Sequence, residues 1–496
     1  HAGKALMAAL ENYPREELFQ IPDAQLFEFA TTIASLTDRP RVRVLSRIDR
    51  FDNFVSVLLY MPRERYDSDV RARIGQYLAK IYEGRVSAYY PNFPEGELVR
   101  VHFIIGRNGG PTPNPPRRDI EDDVTELTLT FGDRLRRAAP DPAAIGHYLD
   151  AFSTAYQSRN TPEEAIPDIE TLQGLADAGA MALHLMPRDG GLRLKVYHRE
   201  TPIALSDRVP MLENFGFRVI DERTYTVEPR VGGTSYIHDM ELEAAPGVSV
   251  EGDLGVRIEN AILAVWRGAA ESDGLNQLTA RAGLSWYDVE ILRALTRYLK
   301  QTGIAYSRDY LIGVLAAQPE VSTALVTLFH SLNDPGFAGH RERASQAARD
   351  TLAAALEATT SLDEDRIIRR YVNLVEAVVR TNAYQRDSAG DRRPALALKF
   401  DCAQLDGLPA PVPYREIFVY SPRVEGLHLR FGPIARGGIR WSDRPEDFRT
   451  EVLGLVKAQQ VKNAIIVPVG AKGAFVPRQI PPGADRDASP TERSAS

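Results

Sequence analysis

The chain has 496 residues, of which 44% are hydrophobic and 26% charged, and its formal net charge is −7. This length predicts several domains rather than one core, and the acidic balance argues against a general nucleic-acid-binding surface. The single cysteine, Cys402, excludes an intrachain disulfide, and no apolar run reaches the ~18–20 residues that a membrane span needs. These features predict a cytoplasmic protein that binds neither nucleic acid nor membrane.

Residues 1–40 are predicted to form a helical lead-in. The chain begins at His1 without an apolar signal region, which predicts a piece of a longer polypeptide. Residues 41–110 then alternate short apolar runs with one amphipathic stretch, which is typical of a small α+β module with helix packed on sheet. Its strands and single helix are predicted, in order, at Val42–Ile48, Phe54–Met61, Asp67–Tyr82 (helix), Val86–Tyr90 and Leu98–Ile105.

A helical connector is predicted over 119–180, with helices at Asp119–Ala138 and Pro142–Ser158. A second α+β module follows over 181–245. Its helix and strands are predicted at Leu192–Tyr197, Leu205–Phe215 (helix, ended by Gly216), Phe217–Val227 and Tyr236–Leu242. Both modules resemble ACT-type regulatory modules, which bind amino acids or pair with each other. A plain packing domain is the alternative for each.

Residues 255–390 are predicted to form a helical domain, because apolar residues recur three and four positions apart. Its clearest helices are Trp286–Gln301, Asp309–Ala317 and Leu362–Thr381, and Ser285 fits an N-cap. No histidine has a partner at a metal-ligand offset, so no metal site is predicted.

Strands return over 391–480, at Ala395–Phe400, Ile417–Tyr420, Gly426–Phe431 and Ala464–Val469. The helix before the last strand is predicted to begin at a capping-box-like Asp443 and to end near Lys462. Residues 481–496 lack apolar periodicity and are predicted to be disordered.

The lysines of this chain are concentrated near one end. Of its 60 lysine and arginine residues only eight are lysine, and three of those lie between Lys457 and Lys472. Lysine can release its proton where arginine cannot, so its retention here indicates a chemical requirement. Ordinary surface cations near a turn are the alternative.

Glycines surround these cations. Gly437 and Gly438 are predicted to form a tight turn beside Arg436, and Gly470 and Gly473 a loop that holds Lys472 after a buried strand.

In this arrangement Arg436, Lys462 and Lys472 would meet at one end of a sheet, where they suit an anion with two carboxylates. Gln459 lies three residues before Lys462 and therefore shares its helix face.

The motifs ARGGIRW, EVLGLVKAQQVKNA and PVGAKGAF, in this order, resemble the substrate site of amino-acid dehydrogenases. They are most similar to the large bacterial NAD-specific glutamate dehydrogenases. Four further stretches resemble the same class: FVSVLLYMPRERY, PMLENFGFRVIDERTY, LDEDRIIRRYVNLVEAVVRTNAYQ and FVYSPRVEGLHLRFG. The resemblance implies a multidomain α+β and α/β protein that ends in the start of an α/β catalytic domain.

The resemblance also implies roles for single residues. Lys472 matches the catalytic lysine, which polarises the attacking water and the carbonyl. Lys462 matches the lysine that binds a substrate carboxylate, and Arg436 and Gln459 match further substrate contacts. The implied reaction is NAD-dependent oxidative deamination of L-glutamate to 2-oxoglutarate and ammonia by a homo-oligomer.

Two departures from the family pattern limit this expectation. Ala474 stands where the family loop has a second glycine, and the sequence contains no G-x-G-x-x-G in a strand–helix context. The family's catalytic aspartate and its NAD-binding domain are not recognisable here. The isolated chain is therefore predicted to be inactive, and the alternative function is a non-catalytic regulatory or assembly module that binds an amino acid.

Overall fold

The fold is described from a computed structural model. It describes residues 2–36, 41–94, 96–175, 177, 179–188, 190–245, 248, 250, 252–462 and 470–479. The predicted tail and the predicted strand Ala464–Val469 lie outside this range. The chain divides into two compact units, one of His1–Glu170 with Glu228–Gly232, the other of Thr171–Val227 with Gly233–Ser496.

The first unit contains the first α+β module, with the predicted ββαββ order. Its four strands form an antiparallel sheet in the order β1-β2-β4-β3. The Asp67 carboxylate accepts a hydrogen bond from Val70 N at 2.7 Å and so begins the module's helix, α4. The elements are β1 Arg43–Ile48, β2 Phe54–Pro62, α4 Ser68–Ile81, β3 Gly84–Asn92 and β4 Leu98–Arg107.

Both faces of this sheet are covered, which explains why β2 is apolar almost throughout. One face, with Val55 and Val57, packs with α4. The other, with Leu58, packs with the lead-in helices α2 Arg15–Leu18 and α3 Asp23–Ser35, while α1 Ala2–Glu11 packs on α3. A buried ion pair joins α2 to β1, with Arg47 Nε 2.8 Å from Glu17 Oε2.

The connector is helical in part. Its helices are α5 Arg117–Leu127, α6 Phe131–Ala138, α7 Thr154–Gln157 and α8 Pro162–Gly174. The predicted helix Pro142–Ser158 is wrong over residues 142–150, which form turns, and α7 is its only helical part. The Asp141 carboxylate accepts from Ala143 N at 2.9 Å, and this local hydrogen bond competes with helix formation.

The second α+β module, in the second unit, has the same plan as the first. Its antiparallel strand order is β5-β6-β8-β7, which repeats the order of the first sheet. The strand β5 was not predicted, although Met181, Leu183 and Leu185 alternate into the core. Gly216, with φ +83°, ends the helix as predicted. The elements are β5 Met181–Arg188, β6 Gly191–Arg199, α9 Leu205–Asn214, β7 Phe217–Val227 and β8 Ser235–Ala244.

A buried histidine links β8 to the segment before α9. Ile203 N–H donates to His238 Nε2 at 3.1 Å, so the ring proton lies on Nδ1, 2.8 Å from Thr224 Oγ1. Burial and the charge of Arg208 lower the pKa of His238 to about 4, against the opposing effect of Glu222. The neutral ring is therefore the native form.

The helical region is confirmed in large part. The helix α12 has the predicted bounds, and Ser285 caps it through a reciprocal pair of hydrogen bonds with Asp288. The predicted helix Leu362–Thr381 is wrong at its end, because residues 378–381 pair as a strand. The helices are α10 Asp253–Trp266, α11 Gln277–Ala282, α12 Trp286–Gln301, α13 Arg308–Ala317, α14 Pro319–Asn333, α15 Arg341–Ala358 and α16 Leu362–Glu376.

In the described part of the chain, no single helix has the length and apolar content to cross a membrane. The pair α13 and α14 passes that test only jointly, with a 97° bend at the break between them.

The last sheet has six strands in the order β13-β14-β12-β11-β10-β9. The pair β13–β14 is parallel and the other pairs are antiparallel. The helix α17, Phe448–Lys462, lies between β13 and β14 in sequence, so the three form a βαβ unit. The strands are β9 Val378–Thr381, β10 Leu396–Asp401, β11 Arg415–Tyr420, β12 Val424–Arg430, β13 Arg436–Trp441 and β14 Gly470–Pro477.

Candidate functional site

The predicted glycine loops are strands. Gly437 and Gly438 lie in β13, and Gly470 and Gly473 lie in β14 beside Lys472. The loop prediction is wrong because β14 is enclosed on both sides, by β12 and β13. The glycines instead permit close approach: a Cβ at Gly437 would stand 1.6 Å from the carbonyl oxygen of Ala471.

We expect Gly437→Ala to separate β13 from β14, because the added methyl overlaps a backbone atom that cannot rotate away. The free energy of unfolding should fall by about 1–3 kcal/mol. Gly438→Ala is the matched control, since a Cβ there meets nothing within 4 Å. Urea unfolding followed by tryptophan emission measures both, because one of the three tryptophans, Trp441, lies in β13 and contacts Phe475 of β14. Equal midpoints for the two variants would contradict the close approach.

Lys472 points towards the face of the sheet that α17 covers. It alternates with Ala474 and Val476, which belong to the core that includes Val452 of α17, and it pairs in register with buried Leu429. Its own side chain is half-buried. Lys472 is therefore attached on the face of the sheet that α17 covers, with its side chain only partly exposed to solvent.

Gln459 of α17 lies against the start of this strand. It follows Val452 and Val456 at helical spacing, so it faces the sheet. A Cβ on Gly470 would stand 2.8 Å from Gln459 Oε1. That oxygen is buried and has no hydrogen-bond partner among the described residues.

Arg436 and Lys462 are placed by their backbones only. Arg436 begins β13 and pairs with Gly470, and Lys462 is the last residue of α17. The described part of the chain does not include their side chains, so the predicted meeting of three cations stays a prediction. The carboxyl end of a helix carries partial negative charge, which suits a lysine there.

The start of α17 is anchored by residues that the sequence did not identify. The helix begins at Phe448 rather than at the predicted Asp443. Arg449 makes two hydrogen bonds to the Glu416 carboxylate, at 2.8 and 3.0 Å, and both side chains are buried. Burial alone would lower the pKa of Arg449, but Glu416 outweighs it and raises that pKa. The sequence feature that could have predicted this ion pair is a charged residue, Arg449, directly after Phe448 at the start of an apolar helix face.

Cys402 lies against this ion pair, with its sulfur 3.8 Å from Glu416 Oε2. Burial, reinforced by the Glu416 charge, raises the pKa of the thiol, so the sulfur stays protonated and is a poor nucleophile. In the described ranges, no three His, Cys, Asp or Glu side chains converge as a metal site.

Models of glutamate dehydrogenase domains match most of the chain. The bacterial NAD-glutamate dehydrogenase catalytic domain matches residues 351–496. The ACT2 and ACT3 domains match 43–131 and 180–254, which confirms the resemblance of both α+β modules to ACT modules. The helical motifs 1, 2 and 3 match 1–39, 142–175 and 270–335.

Three curated relatives extend over nearly the whole chain. NAD-specific glutamate dehydrogenases of Halomonas elongata and Mycobacterium tuberculosis are each 40% identical over 99% of it, and that of Pseudomonas aeruginosa is 39% identical over 98%. The chain spans 31 to 32% of the length of these relatives. Together with the six domain matches, these identities show that the chain belongs to the large bacterial NAD-specific glutamate dehydrogenase family.

Proposed function

We propose that this chain supplies the substrate-binding side of an NAD-dependent glutamate dehydrogenase, which converts L-glutamate to 2-oxoglutarate and ammonia. One observation carries the proposal: Gln459 of α17 lies against Gly470, the first residue of β14. Gly470 is two residues before Lys472 and pairs with Arg436 of β13. The half-buried Lys472 thus lies near the amino ends of the parallel strands β13 and β14 and the carboxyl end of α17.

In this proposal Lys462 and Arg436 bind the two carboxylates of the substrate, and Gln459 donates a hydrogen bond through its amide. Lys472 lies closest to the reacting carbon. Its ammonium group polarises the carbonyl of 2-oxoglutarate and orients the water that attacks the imino intermediate. Such placement of a proton donor contributes typically 10²–10⁴-fold to a rate.

NAD is the proposed oxidant, since the relatives are named for it. Its chemistry is the acceptance of a hydride from the substrate. The described residues do not fit a dinucleotide: their only parallel strand pair is β13–β14, and the turn from β13 to α17 contains no glycine. The roles derived above are therefore limited to substrate binding and proton transfer.

We also propose that the two ACT-like modules bind an amino-acid effector and that the protein is a cytoplasmic homo-oligomer. The repeated strand order of the two sheets supports a shared regulatory role. A single cysteine suits a reducing compartment. The purely regulatory alternative has less support, because the catalytic-domain model matches residues that include Lys472.

The test of the substrate site is 2-oxoglutarate binding by the 496-residue chain, measured by calorimetry. Lys462→Ala should weaken binding tenfold or more, since it removes a charge-assisted contact to a carboxylate. Lys457→Ala is the matched control, because Lys457 is an exposed lysine of the same helix. Equal affinities in the two variants would remove Lys462 from the site.

A further inference from the structure

A carboxylate in the first turn of α17 joins this helix to β13. Glu451 Oε1 lies 3.0 Å from a guanidinium nitrogen of Arg440, and Ser442 Oγ donates to Glu451 Oε2 at 2.5 Å. Arg440 belongs to β13, and Ser442 follows that strand directly. The N–H of Ser442 also donates to Phe475 O of β14, at 2.9 Å. Glu451 therefore connects α17 directly to β13 and, through Ser442, to β14.

The two contacts of Glu451 differ in their exposure to water. The Glu451 side chain is 16% exposed and Ser442 is buried, whereas the Arg440 side chain is 52% exposed. Hydrogen bonds to a charged acceptor are shorter and stronger than neutral ones. Water screens the half-exposed guanidinium, so the buried hydroxyl supplies the firmer of the two contacts.

This link fixes how far along β13 the helix lies. The helix α17 runs antiparallel to β13, because it connects two parallel strands. The eight residues of helix from Glu451 to Gln459 span about 12 Å. The four residues of strand from Arg440 back to Arg436 span about 13 Å. The two lengths agree, and Gln459 does lie against Gly470, the residue with which Arg436 pairs.

The same link fixes which side of α17 is directed toward β13. Position 462 follows Glu451 by eleven residues, which is three helical turns to within about 20°. Lys462 and Glu451 therefore lie on the same face of the helix. Arg436 and Arg440 are four residues apart in β13, so they lie on one face of the sheet. It is the face that α17 covers, since Arg440 contacts Glu451.

We propose that Glu451 is a positioning residue of the substrate site, which holds α17 in the register and rotation that place Lys462 on the same side of the βαβ unit as Arg436. The inference rests on the proposed function, because it concerns the same two carboxylate-binding residues. Glu451 is three helical turns, roughly 16 Å, from Lys462 and so acts through the helix and not on the substrate. Without Glu451, the Arg449–Glu416 pair still anchors α17 to β11, but the link to β13 is lost.

The experiment is calorimetric titration of the 496-residue chain with 2-oxoglutarate. Glu451→Ala should weaken binding about tenfold, because small displacements of positioned groups have large effects. Glu451→Gln should weaken it about fivefold, since glutamine still accepts from Ser442 but carries no charge. Asp447→Asn is the matched control, because Asp447 pairs with Arg444 within the segment that precedes α17. It should leave the affinity unchanged.

A double-mutant cycle distinguishes positioning from a purely structural role. If Glu451 acts by placing Lys462, then Glu451→Ala should add less than about twofold to the effect of Lys462→Ala, because the placed group is already absent. Independent effects would multiply. Urea unfolding shows whether each variant folds, and Glu451→Gln, which keeps the shape of the side chain, replaces Glu451→Ala in the cycle if the latter does not fold.

Three results overturn this inference alone, provided that Lys462→Ala weakens binding. The first is an unchanged affinity in both Glu451 variants, with or without a lower urea midpoint. The second is a double variant whose two effects multiply in full. The third is an equal loss of affinity in Asp447→Asn. If Lys462→Ala itself leaves the affinity unchanged, the proposed function is overturned, and this inference with it.

Discussion

Lys472→Met should reduce glutamate oxidation by about 10²–10⁴-fold, the contribution typical of a positioned proton donor. Methionine keeps much of the side-chain length but can neither donate a proton nor carry charge. Because the lost interaction acts on the reacting carbon, the decrease should appear in kcat more than in KM. The measurement is the initial rate of NADH formation from L-glutamate, in a polypeptide that contains this chain and reduces NAD.

The control for this substitution is Lys399→Met. Lys399 is also half-buried and lies in β10 of the same sheet, three strands from β14. It should retain the activity of the unsubstituted protein. A rate for Lys472→Met within tenfold of that activity would show that this lysine does not act on the reacting atoms.

Breaking the buried pair Arg449–Glu416 should have the largest effect on stability. Glu416→Leu leaves the Arg449 guanidinium buried, with the partner of its two hydrogen bonds removed. Loss of one member of such a pair typically costs about 3–5 kcal/mol. All three tryptophans, at 266, 286 and 441, belong to the second unit, so their emission during urea unfolding reports on this unit alone.

Two comparisons make this result specific to the pair. The double variant Glu416→Leu/Arg449→Met should recover much of the lost stability, because both buried charges are then absent. Asp365→Asn removes the partly exposed partner of the exposed Arg369 on α16 and should leave the urea midpoint unchanged. A double variant as unstable as Glu416→Leu would mean that packing rather than charge accounts for the loss.

The parts of the fold that the sequence predicted best are those fixed by local pattern. The helix α12 has the predicted bounds because its apolar residues recur at helical spacing and a capping box at Ser285 fixes its first residue. In β1 the buried and partly buried residues alternate in part, and β2 is apolar over most of its length. Both patterns are long enough to exclude a helix. By contrast, β9 continues the apolar spacing of α16, and only its pairing with β10 makes it a strand.

In the candidate site, too, only the features fixed by nearby residues could be predicted from the sequence. The spacing of Gln459 and Lys462 on one helix is a local property and was predictable. That GAKG forms a strand depends on β12, which is more than 40 residues away in sequence and pairs His428 with Gly473. The partner of Arg449 is also remote, since Glu416 lies 33 residues away in a strand that precedes the glycine-rich motifs. Such pairings arise from topology and not from neighbours along the chain.

The hydrophobic core of the last sheet has a consequence for how this protein could be divided. That core is continuous from Leu275 in the helical region to Val476 in β14 and includes side chains of α12, α14 and α16. Residues 351–496, which match the catalytic domain, therefore do not correspond to an independent folding unit. Expressed alone, they would expose the apolar surface that α12 and α14 cover, so homology boundaries and autonomous folding boundaries differ in this protein.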